Sequence, residues 1–160
     1  MKKLILVFVL FFGCGKYIAP VKPEQTAPDS ITLLNVTFLD SKPTITWQAP
    51  VKQVRGKPLK VLTGYKILCS AVPYTEESFV DCGMLKDNTI EILEKRRDEA
   101  QALGQIVRKV KLTEEEKTIT WTDVALTADK AYRIVPLGTA EGTVAKTITV
   151  HPALGTYEAA

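Results

Sequence analysis

The side chains with the most chemistry to offer are three cysteines, Cys14, Cys69 and Cys82, and a single histidine, His151. One histidine leaves no histidine-cluster metal site and removes most imidazole-based catalysis. It stands beside Pro152 at the end of the last strand-like run, where a surface position is expected. Cys69 and Cys82 are 13 positions apart, which is not the Cys-x-x-Cys spacing of thiol–disulfide catalysts. Neither has the cysteine or histidine neighbours that would complete a zinc set. The two are a structural bridge, two buried thiols or a redox pair, and the compartment decides between them. No serine or cysteine is arranged with a histidine and an acid. Gly138 and Gly142 fit a hairpin rather than a phosphate loop. The acidic run Glu114-Glu115-Glu116 offers too few oxygen ligands for calcium. The residues therefore point away from an enzyme, and no catalytic residue, metal or cofactor is assigned.

The first fourteen residues set the compartment. Met1-Lys2-Lys3 is basic, and Leu4 to Phe12 is uninterrupted apolar. As a helix that run would reach about 14 Å, roughly half a bilayer core, which is too short to span. Basic start, short apolar run and small residue together read as an export signal over residues 1–13. Gly13-Cys14 at the end of that run resembles the lipobox of bacterial lipoproteins, although Phe12 stands where a small residue is usual. That resemblance implies a diacylglyceryl group on the Cys14 thiol, cleavage before Cys14 and acylation of the new amine. It implies no other cofactor. Each buried acyl CH₂ contributes about 0.8 kcal/mol, so two or three chains make a stable anchor. Gly15 follows the cysteine where aspartate marks inner-membrane retention, so an outer membrane facing the periplasm is expected. Cys14 to Pro20 is also similar to the start of small lipoproteins associated with the lipopolysaccharide translocon, and this implies an alternative role in assembling such a complex through the lipidated N-terminus.

Export changes the reading of the other cysteines. In an oxidising compartment Cys69 and Cys82 are expected to pair, and closing a loop of that size contributes about 3 kcal/mol in the chain-entropy model. Residues 14–30, with Pro20, Pro23 and Pro28, read as an extended tether. The body is residues 31–152. Its strand-like runs are Ile31–Leu39, Thr44–Trp47, Thr63–Cys69, Ser78–Cys82, Thr118–Val124, Ala131–Val135 and Thr143–Val150. Turn clusters such as Asp40-Ser41-Lys42-Pro43 separate them. This spacing predicts an all-β sandwich.

Four motifs in order resemble the fibronectin type III domain, an immunoglobulin-like β-sandwich. Ile45-Thr46-Trp47-Gln48-Ala49-Pro50 resembles its strand B, and Gly64-Tyr65-Lys66-Ile67 its strand C. Leu126 and Tyr132 stand like the leucine and corner tyrosine of the E–F crossing, and Tyr132–Val135 resembles strand F. The resemblance implies that Trp47, Tyr65, Leu126 and Tyr132 are core, with the Tyr132 hydroxyl bonded to backbone. Trp121 has no counterpart but alternates with Ile119, so it too is expected in the core.

One segment departs from that pattern. Asn88 to Leu103 carries Ile90, Leu93, Arg97, Ala100 and Leu103 at helical spacing, ending at Gly104. It predicts an inserted helix covering the core, with an outer side free to dock a partner. Gln105 to Leu112 reads as a further strand, and Ala153 to Ala160 as a disordered tail.

Without Lys2 and Lys3 the chain has nineteen basic against eighteen acidic residues, so nucleic acid is not an expected partner. The basic residues are nonetheless uneven. Between Asp40 and Glu76 there is no acid, while Lys52, Arg55, Lys57 and Lys60 fall in one loop. In the resembled fold that loop shares a pole with the chain's N-terminal arrival, so it is a candidate membrane-facing surface. The expectation is a monomeric, membrane-anchored, non-catalytic binding module of the bacterial cell envelope, whose partner is an envelope protein or glycan.

Overall fold

Alternation dictates the first hairpin. In β2, Lys42–Gln48, Pro43, Ile45 and Trp47 are buried while the threonines between them are not. β1, Thr32–Leu39, pairs antiparallel with one edge of β2, and β5, Thr118–Thr122, with the other. The pairing sets Ile45 opposite Trp121 and Trp47 opposite Ile119 on the inner face. On the outer face the Thr44 and Thr122 hydroxyls meet at 2.9 Å. The tight link between β1 and β2 places Asp40 and Ser41 at positive φ, 50° and 60°, which a short polar residue accepts in a hairpin turn.

The computed structural model describes residues 19–105 and 110–160. Its second sheet has the order β4-β3-β6-β7-β8: β3 is Gly64–Ala71, β4 Val80–Lys86, β6 Lys130–Leu137, β7 Ile148–His151 and β8 Thr156–Ala159. The two antiparallel sheets face each other across Val36, Ile45, Trp47, Tyr65, Ile67, Tyr132, Ile134, Ile148 and Val150. The order β1-β2-β5 against β4-β3-β6-β7 is the A-B-E against C′-C-F-G arrangement of a fibronectin type III or immunoglobulin-like sandwich. Trp47 meets Tyr65 edge-on at 5.2 Å, and half-buried Trp121 meets Tyr132 in the same way at 5.7 Å.

Several expectations need correction. The fourth strand begins at Val80 and runs to Lys86, because pairing with β3 carries it through Gly83 despite weak local propensity. Ser78 instead closes the single 3₁₀ turn Glu76–Ser78, its hydroxyl accepting from the Thr75 N–H. The last expected strand is cut to Ile148–His151. The expected tail is β8, which pairs along β7 after a turn closed by Gly155 at φ +62°. Half-buried Tyr157 of β8 packs against the core. The domain thus continues past Pro152 to Ala160, whose N–H donates to Thr147 O. Of the expected strand Gln105–Leu112, residues 106–109 lie outside the described residues and Val110–Leu112 form none. Glu114–Lys117 is a one-turn helix, α3, capped by Thr113.

The inserted helix is α2, Thr89–Ala102, between caps Asn88 and Leu103, with Gly104 at φ +69° beyond. It joins β4 of one sheet to β5 of the other by way of α3. Only its first turns cover the core: Thr89 and Ile90 are buried and Leu93 is half-buried, whereas Leu103 is exposed. Arg96 braces it through a two-pronged ion pair with Glu116 of α3 and a bond to Lys111 O.

The Tyr132 hydroxyl donates to the Asp123 carboxylate, not to backbone. Asp123 also takes Lys130 Nζ and the Val124 N–H, each at 2.8 Å, while its own N–H donates to Pro43 O. Burial opposes ionisation of Asp123, but these three donors outweigh it and hold the carboxyl below its ordinary pKa. Half-buried Leu126 packs below this corner.

Two outcomes follow. A folded-state pKa below the unfolded value adds stability that is complete above the ordinary carboxylate range and is lost as pH falls through the folded value. Asp123→Asn should therefore flatten the loss of unfolding free energy below about pH 4, measured by urea titration across pH. Ending the chain after Pro152 should cost about 1–3 kcal/mol, read as a lower urea midpoint, since it strips β7 of its ladder with β8 and the core of Tyr157. An unchanged midpoint would return Ala153–Ala160 to the status of a tail.

Candidate functional site

The residues singled out in the sequence fall into three places. Trp47, Tyr65 and Tyr132 are fully buried and Leu126 half-buried, so all four belong to the core. Cys69 and Cys82 are bonded to each other, with Cα atoms 5.9 Å apart, across the β3–β4 hairpin. Cys14, the residues expected to form an export signal and the expected tether up to Ile18 lie outside the described residues. Lys52, Arg55, Lys57 and Lys60 are all exposed and share the loop between β2 and β3.

That loop is held from below. Gln53 and Leu59 point inward and are buried. Backbone bonds from Gln53 N to Lys57 O and from Leu59 N to Val51 O fold it into a small hairpin, turned by Gly56 at φ +78°. The side chains left outside include the four cations, Pro58 and three valines, Val51 at 45%, Val54 at 50% and Val61 at 40% exposure. Alternation of inward anchors with outward cations and valines keeps the charges at the molecular surface.

Sequence reasoning missed what lies beside the loop. Residues 23–30, part of the expected tether, form a clasp on the domain. Pro23–Thr26 is a single helical turn, α1, with proline at its first position. Ala27 and Pro28 behind it are buried. The Val54 N–H donates to Ala27 O at 3.0 Å, Asp29 N–H to Lys52 O at 2.9 Å, and Arg55 to Gln25 Oε1 at 3.2 Å. On the other side Thr143 N–H donates to Pro28 O, and the Thr26 and Thr139 hydroxyls meet at 2.9 Å. The clasp therefore sits in the gap between the β2–β3 loop and the β6–β7 turn. Glycine makes the gap: a Cβ on Gly138 would lie 2.5 Å from Val61 O and 2.9 Å from the Pro28 ring, and one on Gly142 would lie 2.5 Å from Pro28 O. The signal was present in the sequence as the Gly138/Gly142 pair, but it read equally well as an ordinary hairpin.

The remaining polar clusters brace the fold. Arg133 holds Glu76 with two bonds of 2.6 and 2.7 Å and lies over the Phe79 ring. The Arg133 guanidinium lowers the Glu76 pKa. Tyr65 donates to Asp87, and burial pushes its phenol pKa up, with the Asp87 charge adding to the effect. His151 pairs with Asp129 at 2.8 Å. Between β1 and the β7–β8 pair lies an open cavity of about 470 Å³ with a floor of Ile31, Leu34, Ile134, Ile148 and Tyr157. Only Ser30 and Lys146 bring polar side chains other than the Tyr157 hydroxyl to it. Among the described residues no three histidine, cysteine or acidic side chains converge as metal ligands, and no helix is long and apolar enough to cross a membrane.

No family model matches the chain, and no curated protein matches it. Solved structures do. The FN1–FN3 domains of chicken CNTN1 align over 78% of this chain and 32% of that one, with 12% identity and a TM-score of 0.44. The twitchin kinase region of C. elegans aligns over 76% of this chain and 16% of that one, with 10% identity and a TM-score of 0.44. The chain thus spans about a third and a sixth of the chains it resembles. The fold is a fibronectin type III or immunoglobulin-like β-sandwich, and its strand order is what establishes it.

Gly138→Ala tests the clasp. The added methyl meets backbone on one side and a buried proline on the other, so a loss of about 1–3 kcal/mol in denaturant-derived stability is expected, as for an overpacked core.

Proposed function

We propose that the chain is a lipid-anchored, non-catalytic interaction module of a bacterial cell envelope. The observation that carries this reading is the N-terminal order of basic start, nine apolar residues and Gly13-Cys14. The Cys69–Cys82 bridge supports it, because such bonds persist in oxidising compartments outside the cytoplasm. The acyl groups on Cys14 hold the protein at the membrane, by the Gly15 argument at the outer membrane facing the periplasm.

Recognition rather than catalysis fits the placement of the polar groups. The strongest pairs, Arg133–Glu76, Arg96–Glu116 and Lys130–Asp123, each join one element to another. They are engaged in holding loops and α2; Glu76 and Arg133 border an open depression of about 360 Å³, but each is taken up by the other in a two-pronged pair. The outer side of α2 is the elaboration on the common scaffold and the surface offered to an envelope protein or glycan. The domain acts as a monomer in this reading.

Intact mass of the protein taken from its native membrane, with and without reduction and alkylation, tests the proposal. The expected mass is residues 14–160 plus acyl groups, with two thiols labelled only after reduction. A lipid-free chain with a different first residue would make it a secreted domain and remove the anchor.

A further inference from the structure

Beyond attachment through Cys14, the structure fixes which end of the domain the anchor reaches. β2 runs from the Asp40–Ser41 turn to the β2–β3 loop, and its seven residues separate the two poles by about 20 Å. The loop pole also holds the β6–β7 turn and the clasp. Because Gln25, Ala27 and Asp29 are bonded to the loop, and Pro23 and Thr26 to Thr139 of the β6–β7 turn, the chain leaves the domain at Lys22 on this same pole. Cys14 to Lys22 is nine residues, which can reach at most about 30 Å when extended. A lipid on Cys14 therefore confines this pole to the neighbourhood of the bilayer.

The pole has the composition of a surface meant for such a neighbour. Its four cations are exposed, and no acid occurs in sequence between Asp40 and Glu76. Val51 and Val54 stand half in solvent among the cations. Among the described residues none of the four cations is held in an ion pair: Glu141 on the neighbouring turn pairs with Lys66, Asp87 accepts from the Tyr65 hydroxyl, and Asp29, Glu24 and Glu94 are single charges around the loop. Cations ringing a small apolar tip match an anionic lipid surface, where headgroup phosphates meet the cations and the valines enter the interface.

We propose that the β2–β3 loop docks on anionic lipid through Lys52, Arg55, Lys57 and Lys60, with Val54 at its tip. The domain is then seated on the bilayer in one orientation, with the Leu39 turn pointing away. The proposal rests on the anchored reading for its geometry, but its test does not depend on that reading. Each cation near an anionic surface adds roughly fivefold to the local association constant.

The test uses the full chain in phosphatidylcholine vesicles with or without phosphatidylglycerol. A photoreactive phenylalanine is placed at Val54 or, at the opposite pole, at Leu39, which is 73% exposed. The expected result is lipid adducts at Val54 several-fold above those at Leu39, in the anionic vesicles only. Combined Lys52→Gln, Arg55→Gln, Lys57→Gln and Lys60→Gln should lower the Val54 adduct at least tenfold, with the Cys69–Cys82 bridge intact as the check on folding. Equal adducts at the two positions, or a Val54 adduct that ignores lipid charge or survives the four changes, would overturn it. Acyl mass on Cys14 is read on the same sample. An acylated chain without the Val54 preference fails the docking proposal alone, and a lipid-free chain that keeps the preference fails the anchor alone.

Discussion

Trp47 is the residue around which the two sheets close. Its indole is wholly buried, and it is held edge-on by Tyr65 from the opposite sheet. A buried tyrosine must satisfy its hydroxyl, and here that requirement organises both ends of the molecule. Tyr65 donates to Asp87, whose other oxygen accepts the Thr89 N–H at 2.7 Å and so starts α2. Tyr132 donates to Asp123, which gathers Lys130 and the Val124 N–H into the β5–β6 corner. Packing at the centre thereby sets loop geometry at the edges. In both pairs burial and the neighbouring carboxylate raise the phenol pKa, so each remains a donor.

The two poles differ in kind. The Asp123 pole is closed by internal charge pairs and by short turns at Asp40–Ser41 and Pro152–Gly155. The other is closed by the chain's own N-terminal clasp, seated where Gly138 and Gly142 leave room for Pro28. A clasp of this kind converts a flexible connection into a defined exit point. The consequence is directional: whatever precedes Lys22 acts on the domain from the β2–β3 loop side. The disulfide belongs to the opposite half, where it ties β4 to β3 beside an eight-residue excursion from Val72 to Phe79.

α2 shows how an insertion is accommodated without disturbing the sandwich. It enters the connection between the sheets, where chain must cross in any case. Its first turns lend Ile90 and Leu93 to the existing core, and its middle is fixed by Arg96 to Glu116. The far end carries exposed Leu103. The helix is thus firmly positioned at one end and presented to solvent at the other.

Local pattern made the strands of the core readable in advance. Period-two alternation around Trp47, Tyr65 and Tyr132 depends only on which residues avoid water, and helical spacing with Gly104 marked α2 almost to the residue. The basic β2–β3 loop was visible as a run of cations without acids. What the sequence could not decide depended on distant partners. Val80–Lys86 is a strand because β3 lies beside it, and Thr156–Ala159 is a strand because β7 offers an open edge. The Tyr132 hydroxyl goes to Asp123 because the β5–β6 loop folds back, not because of any motif. The Pro23–Asp29 segment reads as linker by composition and becomes part of the domain only because two glycines, more than a hundred residues away, leave a gap that a proline fills. Local sequence determines which face of an element turns from water; long-range pairing determines which elements exist at the edges and where the chain leaves the fold.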